Sequence, residues 1–239
     1  MMIFAEDLRL NPAGPGVMNR EITMKYDEAY RNTEHVFGRE PEVILKAYHT
    51  SLDPARPVLD IGSGQGRHTL FLARRGFTVD AVDPSRAGID SVAGRAAAEQ
   101  LPVSTHHCTI DRFQAGGGVY SGVLLLGLIQ ELPREALPVL VLKIDRLLHP
   151  GGLLFVTAFS IEDPAYQTHA AGWQRIGRHS FQNKEGAIRT YLEPDEILDL
   201  FPRYEVIYHK EELGPEHRHG DGPPERHFRI EFVGRKAAA

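Results

Sequence analysis

The stretch VLDIGSGQGR, Val58 to Arg67, sets three glycines in five positions directly after a short apolar run that carries an acid. A strand feeding such a turn, with a helix starting at Arg67, is the opening unit of a βαβ fold. The turn then lies at the carboxyl edge of a parallel sheet, where backbone can approach a ligand and a helix N-terminus offers unpaired N–H groups.

The alternation continues outward from that stretch. FTVDAV from Phe77 predicts a second strand, Ser85 to Glu99 a helix, Pro102 to Cys108 a third strand and Tyr120 to Leu126 a fourth. Glu135 to Leu148 predicts a helix and Leu153 to Phe159 a fifth strand. Strands and helices in this rhythm make a doubly wound, mostly parallel α/β sheet with helices on both faces. Beyond Ser160 the rhythm stops in a polar segment reaching Lys184. A short helix at Glu193 to Leu200 follows, and YEVIY from Tyr204 and RHFRIEFV from Arg226 alternate as an antiparallel hairpin on the sheet edge.

Upstream, NPAGPG at Asn11 to Gly16 cannot propagate a helix or central strand, so 1–23 reads as a flexible lead-in. Aromatic and apolar residues at helical spacing from Met24 to Tyr48 predict two helices over 24–52, broken near Gly38 and Pro41, which would pack over something rather than stand alone. With the core at 57–160 and the terminal part at 161–236, one domain covers 24–236.

Composition limits the function. The 239 residues, 42% hydrophobic and 25% charged, suit one self-sufficient domain, and the net charge of −5 argues against a nucleic-acid partner. A lone cysteine, Cys108, excludes an intrachain disulfide and suits a reducing cytoplasm. No secretory signal or membrane-length apolar run is visible, and the oligomeric state is unreadable. The run His106, His107, Cys108 has no second ligand pair at metal spacing, and the scattered set His209, His217, His219 and His227 is no firmer, so no metal is expected.

The charge facing the turn discriminates between ligands. Arg67 stands where a dinucleotide fingerprint needs its third glycine, and Asp60 would repel a pyrophosphate by several kcal/mol at an intermediate dielectric. A ligand with an ammonium and a sulfonium gains from the same acid. S-adenosylmethionine carries both, and its carboxylate could use the backbone donors of the turn; in the competing reading Asp60 only caps the turn. Asp83, ending the second strand, suits the two hydroxyls of an adenosine ribose, or else caps the next helix, a task open to Ser85.

Taken together VLDIGSGQG, VDAVD from Val79, CTID from Cys108 and LHPGG from Leu148 resemble the class I S-adenosylmethionine-dependent methyltransferases. The resemblance implies seven strands with the last antiparallel. It also implies cofactor contacts from Gly62, Ser63, Gly64, Gly66 and Arg67, from Asp83 and Pro84, from Asp111 and Arg112 at the adenine, and from Leu126, Gly127 and Leu128. FQNKEGAIRTY from Phe181, EHRHGDG from Glu216 and the terminal strand are further similar to tellurite-resistance methyltransferases. That likeness implies His217, Arg218 and Arg226 beside the transferring methyl, with Arg189 supporting the pocket. The alternative is a solvated loop. Tyr26 and Tyr30, one helical turn apart, would close over the cofactor or pack against the sheet. His219 and His227 read as surface or edge positions. The activity this implies is methyl transfer to a small oxyanion, thiol or metabolite; the alternatives are a non-catalytic cofactor-binding module and an NAD-dependent oxidoreductase.

Overall fold

A computed structural model describes residues 20–216, 218 and 224–238. Of the lead-in expected at 1–23, residues 1–19 lie outside them and 20–23 belong to the first helix, α1 (Arg20–Asn32), which begins four residues ahead of Met24. In chain order there follow α2 (Val43–Tyr48), β1 (Val58–Ile61), α3 (Arg67–Ala73), β2 (Val79–Asp83), α4 (Arg86–Ala98), β3 (Val103–His107), β4 (Tyr120–Leu126), α5 (Leu137–Leu147) and β5 (Leu148–Ser160). The remainder is α6 (Tyr166–Gly172), β6 (Gln174–Gly177), β7 (Ser180–Gln182), β8 (Ile188–Leu192), α7 (Glu196–Leu200), β9 (Tyr204–Leu213) and β10 (Phe228–Lys236).

The order β3-β2-β1-β4-β5 is parallel throughout, and β10 lies antiparallel on β5 with β9 antiparallel beyond it. These seven strands are the expected doubly wound sheet with its C-terminal hairpin. Period-two side-chain alternation divides the core into two layers. Leu59 and Ile61 of β1, Val123 and Leu125 of β4, and Leu154 and Val156 of β5 face α5. Val58, Leu124, Leu126 and Phe155 face α2 and α3 through Ile44, Leu45, Phe71 and Leu72. All seven residues of β4 are buried, as a central strand covered on both faces requires.

The segment 160–192 is not the unpatterned connection expected. It folds into α6 and the antiparallel strands β6, β7 and β8. Since β10 holds one edge of β5 as far as Phe159, β8 joins the β4 edge, pairing Phe159 with Tyr191 just past the last β4 partner, Thr157. This small sheet therefore overhangs the carboxyl ends of the parallel strands. It is tied down by Thr190 Oγ1 donating to the Leu132 carbonyl at 2.6 Å and by ring contacts among Tyr166, Phe181 and Tyr191.

Candidate active site

Beneath that overhang, at the end of β1, lies a cavity of about 700 Å³. Its size suits a cofactor-sized ligand with a second small molecule, within the roughly 300–1,000 Å³ of small-molecule sites. One wall is the glycine turn, with Gly62, Ser63, Gly64 and Gln65 at its surface.

The turn is fixed from behind. Gly62 and Ser63 donate backbone N–H bonds to the Val82 carbonyl at 2.8 and 3.2 Å, and Gly64 N–H donates to Asp83 Oδ2 at 2.8 Å. Three of the backbone donors expected to receive a ligand carboxylate, those of Gly62, Ser63 and Gly64, are thus spent on β2. What the wall offers instead is side-chain polarity: Ser63 Oγ, His68 Nε2 and Gln130 Oε1 are buried against the cavity without a hydrogen-bond partner. Burial pushes His68 down to about 3, so it is a neutral imidazole.

Asp60 is the main correction. It does not line the cavity; it shares the α3-facing side of β1 with Val58 and accepts a hydrogen bond from Thr69 Oγ1 at 2.6 Å. Its carboxyl, 1% exposed, is pushed up to about 6 by burial, with Asp83 adding to the shift. Gly66 is a second correction. With φ at +82° it starts α3, and a Cβ there would stand 2.7 Å from Val92 Cγ2, so its bareness serves the packing of α3 on α4.

Asp83 lines the cavity beside Pro84, its Oδ1 accepting from Ser85 N–H at 2.7 Å. Burial pushes it up to about 6 against those backbone donors. Ser85 is the N-cap of α4, accepting from Gly88 N–H at 3.1 Å, which leaves Asp83 to face the cavity. Leu126, Gly127 and Leu128 line the opposite side. A smaller recess continues between Pro84 and Leu128, walled by Ile61, Val82, Ile110 and Leu132. Asp111 and Arg112 reach neither space, because the chain turns away after Ile110 and Lys143 Nζ takes the Asp111 carbonyl at 3.1 Å.

The cover is α1. Tyr26 and Tyr30 stack at 5.9 Å with Phe37 beside both, and Tyr30 lies so close to the turn that a Cβ on Gly64 would meet its hydroxyl at 2.8 Å. Asp27 pins the helix by accepting from Ser85 Oγ at 2.8 Å and Ala87 N–H at 2.7 Å. Tyr26 hydrogen-bonds Glu131 and Arg189, and burial with Glu131 drives its phenol far above the ordinary range. α2, by contrast, is core rather than cover.

The arginines have duties of their own. Arg189 lines the cavity but pairs with Glu131 at 2.7 Å. Arg67 binds Glu42 at 2.8 Å and the Phe37 carbonyl at 3.0 Å, and Arg229 takes the other Glu42 oxygen at 2.5 Å. Against the cost of burial, Arg229 and Arg67 hold the Glu42 carboxyl down to about 2. Arg226 stands at the cavity edge, its Nε donating to the Gly214 carbonyl at 3.2 Å. Arg218 is exposed and outside the cavity wall, and His217 lies outside the described residues. His227, expected at the surface, instead lines the cavity with Phe159, His169 and Trp173.

Sequence reasoning missed Glu42, His68, Gln130, Glu131, Asp163 and His227. Gln130 and Glu131 carried a signal, as two polar residues inside the apolar run VLLLGLIQEL that are each 8% exposed. Among the described residues Asp195, His209 and Glu211 bring ligand-type atoms within 4.8 Å of one another, away from the cavity, and His209 Nε2 already bonds Glu211 at 3.1 Å.

A family model for a methyltransferase domain matches residues 58–152. A ubiquinone biosynthesis O-methyltransferase of Caulobacter sp. (strain K31) is 31% identical over 149 residues, 59% of this chain and 55% of that protein. The chain spans about half the length of the curated relatives it matches first. Among solved structures, an S-adenosylmethionine-dependent methyltransferase from Methanosarcina mazei superposes with a TM-score of 0.68 at 18% identity, covering 84% of this chain and 100% of that one. TehB from Haemophilus influenzae does so with a TM-score of 0.61 at 19% identity, covering 81% of this chain and 61% of that one. Residues 58–152 therefore match a methyltransferase domain, and the chain carries the class I fold of the S-adenosylmethionine-dependent methyltransferases.

Proposed function

We propose that this protein transfers the methyl group of S-adenosylmethionine to a small-molecule acceptor, an oxyanion, a thiol or a metabolite, in the cytoplasm. The observation that carries the reading is the set of unpartnered buried atoms Ser63 Oγ, His68 Nε2 and Gln130 Oε1, which border the same cavity as Asp83. Buried polar atoms without partners are costly, and a ligand bearing an ammonium and a carboxylate satisfies all three. Asp83 would accept the ribose hydroxyls, and the small recess between Pro84 and Leu128 beside it is apolar.

When bound, S-adenosylmethionine supplies an electrophilic methyl on a sulfonium. The chain's own part is alignment and exclusion of water. Tyr26 and Tyr30 cover the turn, Leu126 and Leu128 form the apolar side, and the ring-bearing end at Phe159, His169 and Trp173 leaves space for the acceptor. No helix among the described residues is long and apolar enough to cross a membrane.

Thermal melts with S-adenosylmethionine, S-adenosylhomocysteine and NAD test the cofactor, since a ligand binding the folded state raises stability by mass action. Both sulfur compounds are expected to raise Tm and NAD is not. Release of S-adenosylhomocysteine across a panel of oxyanions, thiols and phenols then separates an enzyme from a cofactor-binding module, which would show the melt shift and no product.

A further inference from the structure

Helix α5 has two faces of different fate. Leu137, Leu140, Ile144 and Leu147 are buried against the sheet, while Val139 and Leu142 are 40% and 54% exposed on the side away from it. The outward stripe has charged ends. Glu135 stands in the 3₁₀ turn Arg134–Ala136 that leads into α5, Arg146 lies in the last turn of the helix, and both are exposed. At about 100° per residue, positions 135, 139, 142 and 146 fall within about 60° of arc, with the alternating four- and three-residue spacing of a helix-pairing seam.

Every other charge of this segment is satisfied inside the chain. Arg134 pairs with Glu196, Lys143 Nζ donates to the Asp111 and Phe113 carbonyls at 3.1 and 2.6 Å, and Asp145 accepts from Arg203 at 3.3 Å and from Tyr204 Oη at 3.2 Å. Glu135 and Arg146 have no side-chain partner among the described residues. They cannot meet each other, since the helix between them sets them about 16 Å apart.

A stripe that runs acid, apolar, apolar, base is complementary to itself only when reversed. Turned end for end by a two-fold axis over the midpoint between Leu140 and Val141, it sets Glu135 opposite Arg146 of the second copy and Val139 opposite Leu142, each pair occurring twice. A chain of other composition would match this order of charges by chance; a second copy matches it by symmetry. We propose that this face is the interface of a homodimer in which two α5 helices pack antiparallel through Glu135, Val139, Leu142 and Arg146. As the crossover between the parallel strands β4 and β5, α5 runs against them, so antiparallel helices bring two sheets back to back with their carboxyl edges at opposite ends. No residue of the stripe lines the cavity, and the two cavities point away from each other. One helix from each copy is a small contact, so the dimer is expected to dissociate in the micromolar range.

Sedimentation velocity of the whole chain across that range is the test. The wild-type protein is expected to pass from monomer to dimer with rising concentration and to go no further, because a two-fold contact closes. Leu142→Glu is expected to raise the dissociation constant about tenfold or more, since one substitution places two carboxylates in the contact. Glu135→Arg and Arg146→Glu each create two like-charged pairs and are expected to weaken self-association by a similar factor. Mixed one to one, those two variants restore both opposite-charge pairs and are expected to form a heterodimer near wild-type strength. Damage to the fold of α5 is not mended by mixing, so the mixture separates an interface from a structural role, and it carries the test if Leu142→Glu fails to fold. A wild-type chain that stays monomeric, a dimer indifferent to Leu142→Glu, or a mixture that associates no better than its components would overturn the proposal. S-adenosylhomocysteine binding is expected to be the same in all these variants, so the methyl-transfer reading stands or falls separately.

Discussion

Glu131 Oε1 lies 2.7 Å from Arg189 Nη1, joining the turn after β4 to strand β8, and Tyr26 of the cover hydrogen-bonds both. Against the cost of burial, Glu131 and Tyr26 hold the Arg189 guanidinium above its ordinary value. The pair locks the overhanging sheet and the lid to the same anchor. Arg189→Met strands the Glu131 carboxylate, at a cost of about 1.5–3 kcal/mol for a lost charged hydrogen bond. The expected outcome is a lower Tm together with weaker cofactor binding, since lid and wall loosen together; an unaltered melt would show that the pair contributes nothing.

Asp27 should act on exchange rather than on chemistry. It ties α1 to α4 through Ser85 Oγ and Ala87 N–H, at 2.8 and 2.7 Å, and its loss frees the cover that Tyr30 lays over the turn. Asp27→Ala is expected to speed cofactor release in a stopped-flow displacement, with the single-turnover methyl-transfer rate of the bound state preserved. Slower release would contradict the assignment of α1 as a lid.

Two glycines of the turn should fail differently. A methyl on Gly64 meets Tyr30 Oη at 2.8 Å, the tip of a side chain that can swing away with the lid, so Gly64→Ala should fold and bind cofactor poorly. A methyl on Gly66 meets Val92 Cγ2 at 2.7 Å inside the α3–α4 contact, so Gly66→Ala should lower Tm first. Each also pays about 1–2 kcal/mol for a left-handed alanine, which makes the difference between the two the informative quantity.

Binding should weaken in acid. Burial pushes both Asp60 and Asp83 up to about 6 without ligand, and of the two Asp83 lines the cavity, where a hydroxyl-bearing ligand favours its ionised form. Affinity for S-adenosylmethionine should fall about tenfold between about pH 7 and pH 5, with about one proton released on binding in that range. In the free protein the folded-state values lie above the ordinary ones, so the stability these groups contribute is present below about pH 4 and lost as pH rises through about 6. The ligand-induced rise in Tm should therefore grow from pH 5 to pH 7. Calorimetry in two buffers of different ionisation heat reads the proton release directly.

The sheet was legible because strands and helices alternate at regular spacing from Val58 to Ser160, even where a strand is as short as β1. The direction of Asp60 was legible too, though it was read by its place at the strand end. Period-two alternation puts residue 60 on the same face as Val58, under α3, so its charge sits behind the turn. The overhang was not legible. β6 and β7 have four and three residues, and their turn uses His179 at φ +52°, without the glycine that marks a hairpin. His227 was misplaced for a related reason, since its partner Asp163 lies 64 residues away and only the β5–β10 pairing brings them together.

The most direct measurement is a calorimetric titration of S-adenosylhomocysteine and of NAD into the wild-type protein and Asp83→Asn. One molecule of S-adenosylhomocysteine should bind each wild-type chain, NAD should give no saturable heat, and Asp83→Asn should weaken the first by about tenfold or more, the loss of a charged hydrogen bond to a ribose hydroxyl. Saturable NAD binding with none of S-adenosylhomocysteine, or equal affinity in wild type and Asp83→Asn, would contradict the account.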